Sequence, residues 1–255
     1  MTRPLTAPGR SRPAEVVPRP ACSLALRGSF ELRIDGRPTR IPLSAQRVLA
    51  FLGLKRRRLG RIFVAGHLWT DASEERAAAA LRTALWRLGR SAGPLVCCEG
   101  QSLSLDPAVE VDIDVATTIA RELFAEAATS VPPDALAVLR DDGELLPDWY
   151  EDWVLIERER FRQVRLHALE TLCRRLSAEG RHAEATEAGV AAVASEPLRE
   201  SAHGALIAAH LAEHNPGEAL RQYRLCRDLL RQEFDLAPSA QLDGMVAHLR
   251  HVTER

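Results

Sequence analysis

The sequence predicts a mainly α-helical chain with small β elements, in which an N-terminal winged helix-turn-helix (α+β) precedes an all-α, tetratricopeptide-like helical domain. Three observations predict this: short strands followed by three helices and a hairpin, a reversal of charge along the chain, and a 34-residue periodicity near the C-terminus. The length of 255 residues also favours two domains. We expect a disordered Pro/Arg-rich tail over residues 1–21, the winged helix over 22–113 and the helical domain over 114–255.

The winged helix is expected to open with three short strands. They cover residues 24–26, 30–34 and 39–41, where apolar and β-branched residues recur between turn signals. The Asp35-Gly36 pair is typical of a two-residue hairpin turn. These strands therefore form a small sheet ahead of the helices.

Three helices follow the strands. Ser44 is the predicted N-cap of the first helix. The third begins after Asp71 or Ser73 and runs from Glu74 to about Arg90, with acidic residues favourably placed in its first turn. The second helix, over about 61–69, is expected to bury four apolar residues: Ile62, Val64, Ala65 and Leu68.

A hairpin is predicted after Gly93-Pro94. Residues 95–98 and 102–105 read as its two strands, and residues 99–101 form the turn between them. Strands, three helices and a closing hairpin in this order predict that the hairpin is the wing of a winged helix-turn-helix.

The charge distribution indicates what the two parts face. Residues 1–110 carry 18 Lys and Arg against 9 Asp and Glu, whereas residues 111–255 carry 16 against 26, so the net charges are +9 and −10. A basic part beside an acidic part predicts a module that faces nucleic acid next to one that faces another partner.

The third predicted helix has two sides. Its core stripe consists of Leu81, Ala84, Leu85 and Leu88. The opposite side collects Arg76, Ala79, Thr83, Arg87 and Arg90, with Arg82 and Trp86 on its flanks. Arginine can donate two hydrogen bonds to the O6 and N7 atoms of guanine, and the threonine methyl can contact thymine. This side predicts a major-groove surface; the alternative is an ordinary solvated helix face, which usually mixes charge signs.

Further candidate contacts flank that helix. Arg57 and Arg58 belong to a basic run and could hold phosphates, although complementing a helix C-terminus explains the run equally well. Gln101 and Ser102 at the wing tip could reach the minor groove or the backbone, or form only a hairpin tip. Trp86 could pack against the wing or lie along the phosphate-sugar ridge, and core packing is the favoured interpretation.

The C-terminal part reads as helices separated by Gly and Pro. Similar residues recur 34 positions apart, the tetratricopeptide period: Leu172 with Leu206, Ala178 with Ala212, Glu179 with Glu213, Glu184 with Glu218, and Ala185 with Ala219. Stacked helix pairs of this kind offer extended surfaces to partners.

The sequence offers no sign of enzymatic or cofactor chemistry. Lys55 is the only lysine and lies in no phosphate-binding loop, and no catalytic motif appears. The five cysteines form no C-x-x-C pair, and His203, His210 and His214 lack a thiolate or carboxylate partner at metal-ligand spacing. These patterns predict neither a cofactor nor a metal. No signal peptide or membrane-spanning run is present, so we expect a cytoplasmic protein.

Two sets of motifs resemble the Streptomyces antibiotic regulatory protein family over about residues 22–245. The first lies in the winged helix, at Leu68-Trp69, Leu81-Arg82-Thr83 and Arg87-Leu88. The second lies in the helical part and includes the segments 144–154, 157–160, 196–200 and 219–223, which resemble the bacterial transcriptional activation domain.

This resemblance implies a transcriptional activator that binds promoter direct repeats, as a head-to-tail homodimer on double-stranded DNA, and recruits RNA polymerase holoenzyme. Its targets would be operons for secondary metabolites, such as antibiotics, and it would be nucleoid-associated. Thr83, Arg87 and Arg90 match the family's recognition-helix pattern. Ala78 and Ala79 depart from it, because many members have Arg and Asn at these positions.

Three aromatic residues stand out in the helical part. Trp149, Tyr150 and Trp153 form either a protein-interaction patch or, as the favoured interpretation, a seal between the domains. Two other functions remain open: a helical-repeat scaffold that binds proteins, against which the Arg-rich helix argues, and a ligand-responsive repressor with the same DNA-binding domain.

Overall fold

A computed structural model describes residues 21–125, 130–141 and 143–253, with side chains as far as Leu249. Residues 1–20 of the predicted tail lie outside this range. Residue 21, the last of that predicted tail, is described: the amide of Ala21 donates a hydrogen bond to the side chain of Asp35 at 3.0 Å.

A four-stranded sheet opens the fold. Strands β1 (Cys22–Ala25), β2 (Glu31–Ile34) and β3 (Arg37–Pro38) are antiparallel, and β7 (Val109–Val111) lies parallel to β1, in the order β3-β2-β1-β7. The third strand begins before the predicted 39–41. The reason is the two-residue turn: Asp35 and Gly36 have φ of 49° and 75°, which pairs Ile34 directly with Arg37.

Helices α1 (Leu43–Lys55), α2 (Arg61–Leu68) and α3 (Glu74–Ala92) follow, as predicted. The predicted N-cap of α1 is wrong, because Pro42 occupies the cap position and Ser44 lies inside the helix. The predicted burial of Ile62 is also wrong, since this side chain is 68% exposed. At 100° per residue, Ile62 lies about 110° around α2 from the centre of the buried stripe of Val64, Ala65 and Leu68.

The wing is a three-stranded sheet. Strands β5 (Val96–Glu99) and β6 (Ser102–Leu105) form the predicted hairpin, and the short strand β4 (Leu59–Gly60) adds to the other edge of β6. The alternation along β6 buries Leu103 and Leu105 against the core of the three helices.

The helical part comprises α4 (Asp112–Phe124), α5 (Ala135–Arg140), α6 (Asp152–Ala178), α7 (His182–Ser195), α8 (Glu200–Ala212), α9 (Pro216–Phe234) and α10 (Ala240–Thr253). The predicted period of 34 residues appears in the helix boundaries. Helices α6 and α8 end at Ala178 and Ala212, and α7 and α9 begin at His182 and Pro216. The predicted fold class is therefore confirmed: a winged helix followed by a helical-repeat domain.

The helical part is anchored to the winged helix by the segment before α6. Leu145 and Leu146 are buried in the same apolar core as α1 and β1. The Gly28 amide donates to the carbonyl of Glu144 at 2.7 Å, and the Leu146 amide donates to that of Leu26 at 2.9 Å. The N-terminal core thus includes residues well beyond position 113, and the division of domains at that position stays a prediction.

Candidate nucleic-acid interface

Helix α3 has one side in the core and one side in solvent. The core side consists of Ala77, Leu81, Ala84 and Leu88, which are at most 3% exposed. Leu85, predicted on this stripe, is half-buried at its edge. The outer side exposes Arg76, Ala79, Arg82, Thr83, Arg87 and Arg90. The leucines thus fix α3 to the domain, and the structure brings all four arginines to one accessible surface, which we call the α3 arginine face.

Three guanidinium groups of this face are not engaged elsewhere in the described part of the chain. Arg76, Arg82 and Arg87 make no ion pair and no hydrogen bond to any described residue. An arginine side chain that is solvated and unpaired keeps all five N–H donors for a ligand. The α3 arginine face is therefore accessible to an acceptor of the size of a base edge or a phosphate.

Arg90 and Trp86 interact at the C-terminal end of the face. The Arg90 guanidinium lies 5.1 Å from the centre of the Trp86 ring, within the range of a cation–π contact. Trp86 is 60% exposed, so the favoured interpretation of this residue as part of the core is wrong. The core residues of α3 lie on the side of Leu81 and Leu88. Position 86 lies on the opposite side of the helix, so the Trp86 ring points away from the core.

The charge on α3 is strongly uneven along its axis. Its carboxylates, Glu74 and Glu75, both lie in the first turn, where they complement the positive end of the helix dipole. No carboxylate follows up to Ala92, so the rest of the exposed side is purely basic. Thr83 adds a small hydroxyl group, which donates to the carbonyl of Ala79 at 3.0 Å.

The wing tip is tied to the start of α2. The Arg61 amide donates to the carbonyl of Gln101 at 2.8 Å, and the Arg61 Nε donates to that of Gly100 at 3.4 Å. Gln101 itself is exposed, and Ser102 is half-buried in β6. Arg61 is not among the predicted site residues, because only the long-range pairing of β4 with the wing brings it there.

The basic run at the end of α1 consists of Lys55, Arg56, Arg57 and Arg58, and it divides into two pairs. Lys55 and Arg56 turn toward the helical part: Lys55 Nζ lies 2.5 Å from Glu157 Oε1, and Arg56 Nη2 lies 2.5 Å from Asp114 Oδ2. Burial raises the pKa of the Asp114 carboxyl, and the nearby Arg56 opposes this rise.

Arg57 and Arg58 lie on the side of the wing. The Arg58 guanidinium is 2.5 Å from Glu99, with both side chains more than half exposed, and the Arg57 guanidinium lies 6.0 Å from the centre of the Phe63 ring. An exposed ion pair of this kind is weak and exchanges readily for a stronger anion. Both arginines are therefore accessible at the surface near the wing.

The aromatic cluster is divided between core and surface. The Trp149 ring stacks on Phe30 at 5.9 Å, and Trp153 meets Phe51 edge-on at 5.2 Å. Trp153 is 7% exposed, whereas Tyr150 is 77% exposed. Two of the three aromatic residues thus pack the helical part onto the winged helix, and Tyr150 alone offers its ring to solvent.

Of the three histidines considered in the sequence, His203 has partners for both of its ring nitrogens. His203 is fully buried, with its Nε2 2.8 Å from the carbonyl of Pro197 and its Nδ1 2.7 Å from the Gln222 side chain. Burial lowers the pKa of His203. Within the described residues, no group of three or more His, Cys, Asp or Glu side chains has the geometry to hold a metal ion.

Neither the cysteines nor the helices point to another kind of site. All five cysteines are free thiols. None of the helices in the described ranges is long and apolar enough to cross a membrane.

Comparison with known proteins supports this architecture. The chain is 29% identical over 247 residues to the regulatory protein AfsR of Streptomyces coelicolor. This match covers 91% of this chain and 24% of AfsR. The chain superimposes on Mycobacterium tuberculosis EmbR, solved in complex with a low-affinity phosphopeptide, with a TM-score of 0.71 and 20% identity over 91% of this chain and 66% of EmbR. The chain therefore spans about a quarter of AfsR, and the likeness to EmbR concerns the fold.

Residues 111–250 match the family described as the bacterial transcriptional activator domain. This range covers more than half of the chain and includes the helices α4 to α9 in full. It agrees with the resemblance to the Streptomyces antibiotic regulatory proteins drawn from the sequence. The chain belongs to the bacterial transcriptional activator domain family, whose members are transcriptional regulators and not enzymes.

Proposed function

We propose that this chain is a sequence-specific, DNA-binding transcriptional activator whose helix α3 enters the major groove of promoter DNA. The observation that carries the proposal is the α3 arginine face: three arginines free of any described partner, a fourth beside Trp86, and no carboxylate after Glu75. A helix that serves only as a solvated surface usually gains from mixed charges. A purely basic face gains instead from contact with a polyanion.

The base contacts fall to the middle and the end of α3. Arg82 and Arg87, unpaired in the described structure, are suited to the two acceptors on the major-groove edge of guanine. Thr83 lies between them and suits a contact with a thymine methyl group. Ala78 and Ala79 contribute no polar group, so Arg76 and Arg82 carry the contacts on the N-terminal half of the helix.

The backbone contacts fall to the wing and the end of α1. Arg57 and Arg58 are exposed near the wing, where phosphates can replace the surface pair of Arg58 with Glu99. Gln101 and Ser102 at the wing tip approach the neighbouring minor groove or its backbone. Such contacts fix the orientation of the domain but carry little sequence information.

The family and the charge distribution support the partners that we propose. We propose that two copies bind head to tail on direct repeats about 10 bp apart, which brings both α3 helices to one side of the duplex. The acidic helical part, with a net charge of −10 over residues 111–255, is repelled by DNA and remains available to RNA polymerase. The regulated genes would be an operon for a secondary metabolite, and promoter binding would place the chain on the nucleoid.

Footprinting tests this function. Purified protein is applied to the promoters next to its own gene, and we expect protection of two direct repeats at about one helical turn. The double variant Arg82→Ala/Arg87→Ala should lose the footprint, whereas Arg224→Ala, an exposed arginine on α9, should keep it. Transcription in vitro with RNA polymerase then distinguishes activator from repressor, since activation requires more transcript when the protein is added. A wild-type protein that protects no promoter would support the protein-binding scaffold instead.

A further inference from the structure

The side chain of Arg47 on α1 lies between the helical part and the end of α2. Its Nε lies 2.9 Å from Oε1 of Glu151, the residue that precedes α6. Its Nη2 donates a hydrogen bond to the carbonyl of Leu68, the last residue of α2. One guanidinium group thus joins the helical part to the end of α2.

The same guanidinium covers the start of the turn between α2 and α3. Its central carbon lies 5.8 Å from the centre of the Trp69 ring, within the range of a cation–π contact. Trp69 is the C-cap of α2, and its carbonyl accepts a hydrogen bond from the Ala72 amide at 3.2 Å. The turn leads directly into α3, which begins at Glu74. The position of Arg47 therefore bears on the direction in which α3 leaves the turn.

The contact with Glu151 restricts the guanidinium to this position. The last carbonyls of a helix have no partner within the helix, so a cation that binds one of them stabilises that end. The side chains of Arg47 and Glu151 are 22% and 33% exposed, so water screens this ion pair only in part. An ion pair holds two long side chains in one geometry. Glu151 thus keeps the Arg47 guanidinium on the Leu68 carbonyl and the Trp69 ring.

The segment that carries Glu151 is itself fixed. Its neighbours Trp149 and Trp153 both pack on aromatic rings of the winged helix. The Glu151 carbonyl accepts a hydrogen bond from the Val154 amide at 2.8 Å, in the first turn of α6. The helical part therefore presents this carboxylate to Arg47 from a well-packed support.

We propose that Arg47 is a positioning residue for DNA binding, through which Glu151 of the helical part fixes the turn before α3. Arg47 acts through the turn and sets the direction of the α3 arginine face. This inference rests on the proposed function of that face. The link between Glu151 and the turn can nevertheless be measured in the absence of DNA.

Hydrogen exchange of the free protein, followed by mass spectrometry of the peptide over residues 68–74, tests the link to the turn. Arg47→Met and Glu151→Ala should each speed exchange of this peptide at least about threefold, because the turn loses its support. Circular dichroism confirms that each variant is folded. Glu151→Ala changes a half-buried side chain at the surface and decides the matter if Arg47→Met does not fold.

Asp114→Ala is the matched control for Glu151→Ala. It also removes a 33% exposed carboxylate from an ion pair between the two parts, but its partner, Arg56, lies at the far end of α1. Exchange of the turn should therefore stay within about 1.5-fold of the wild-type rate. An unchanged turn in Glu151→Ala, or an equal change in Asp114→Ala, would overturn the proposal.

The affinities for cognate and unrelated duplexes test the consequence for DNA binding. Arg47→Met and Glu151→Ala should both lower the ratio of the two affinities about three- to tenfold, since a misdirected α3 loses base contacts before phosphate contacts. The two variants change the net charge in opposite directions, so general attraction to DNA cannot explain a shared loss. Faster exchange with an unchanged ratio would overturn the positioning role. Wild-type protein that binds both duplexes equally would contradict the proposed function, and the exchange result would still decide the link to the turn.

Discussion

Lys55 Nζ lies 2.5 Å from Glu157 Oε1, and this contact joins the end of α1 to the first half of α6. The Glu157 side chain is 8% exposed and that of Lys55 is 23% exposed. Among the described residues, the other cation within ion-pair distance of this carboxylate is Arg160, at 3.8 Å and with a side chain that is 73% exposed. Most of the compensation for a buried charge at the junction therefore comes from the single lysine of the chain.

Replacing Lys55 by Met should destabilise the fold by about 1–3 kcal/mol, because it leaves the buried Glu157 carboxylate with only the solvent-exposed Arg160 as a partner. Urea unfolding measures the change. The double variant Lys55→Met/Glu157→Leu should regain most of the loss, since no buried charge then remains. Arg160→Met, the matched control on the exposed partner, should cost less than about 0.5 kcal/mol. A double variant as unstable as Lys55→Met would contradict this account.

Replacing Arg87 by Ala should weaken binding to the cognate promoter by about 1–3 kcal/mol and relax the preference at one base pair. The reason is the loss of two hydrogen bonds to one base from an arginine that the described structure leaves without a protein partner. Gel-shift titrations on the cognate site and on single-base variants measure both effects. Arg224→Ala on α9 is the control. If the Arg87→Ala variant binds the promoter as tightly as this control, Arg87 does not contact a base.

Arg57→Ala should act differently from Arg87→Ala. A phosphate contact is blind to sequence, so affinity should fall by a similar factor for cognate and unrelated duplexes. The slope of log affinity against log salt concentration should decrease in magnitude by about 1. Affinities measured between low and moderate salt on both duplexes provide this slope, and an unchanged slope would contradict a phosphate role for Arg57.

Local signals in the sequence predicted much of the fold. The Asp35-Gly36 turn, the spacing of Leu81 and Leu88 on α3 and the 34-residue period each depend on neighbours within one element or one repeat. Each of these patterns is periodic or tied to a turn type, which is why it can be read without a structure.

Contacts between distant segments could not be predicted in this way. Strand β7 has three residues that alternate between buried and exposed, but this local alternation does not reveal that the strand pairs in parallel with β1, more than 80 positions earlier. The burial of Leu145 and Trp153 in the N-terminal core likewise depends on where the helical part docks. For the site, the α3 arginine face followed from the helix period, whereas the contact of Arg61 with the wing depends on a tertiary pairing.

The five thiols should differ widely in reactivity. Cys98 is exposed on β5, whereas Cys173 and Cys226 are fully buried, and burial raises the pKa of both to about 11. At pH 8 iodoacetamide should therefore modify Cys98 first and leave Cys173 and Cys226 unmodified until the chain unfolds. Peptide mapping by mass spectrometry gives the order. Early modification of Cys173 in folded protein would contradict its burial on α6 against α7 and α8.

Gly189→Ala should destabilise the helical part by about 1–3 kcal/mol, because α7 and α8 approach too closely there for a methyl group. A Cβ at position 189 would lie 3.0 Å from Leu206 Cδ1, 3.1 Å from Leu206 Cβ and 3.2 Å from Cys173 Sγ. Gly244→Ala on α10 is the matched control, since its Cβ meets nothing within 4 Å and should stabilise by about 0.4–1 kcal/mol. Thermal unfolding should thus move in opposite directions for the two variants. Stabilisation by both would show that the α7–α8 contact relaxes at little cost.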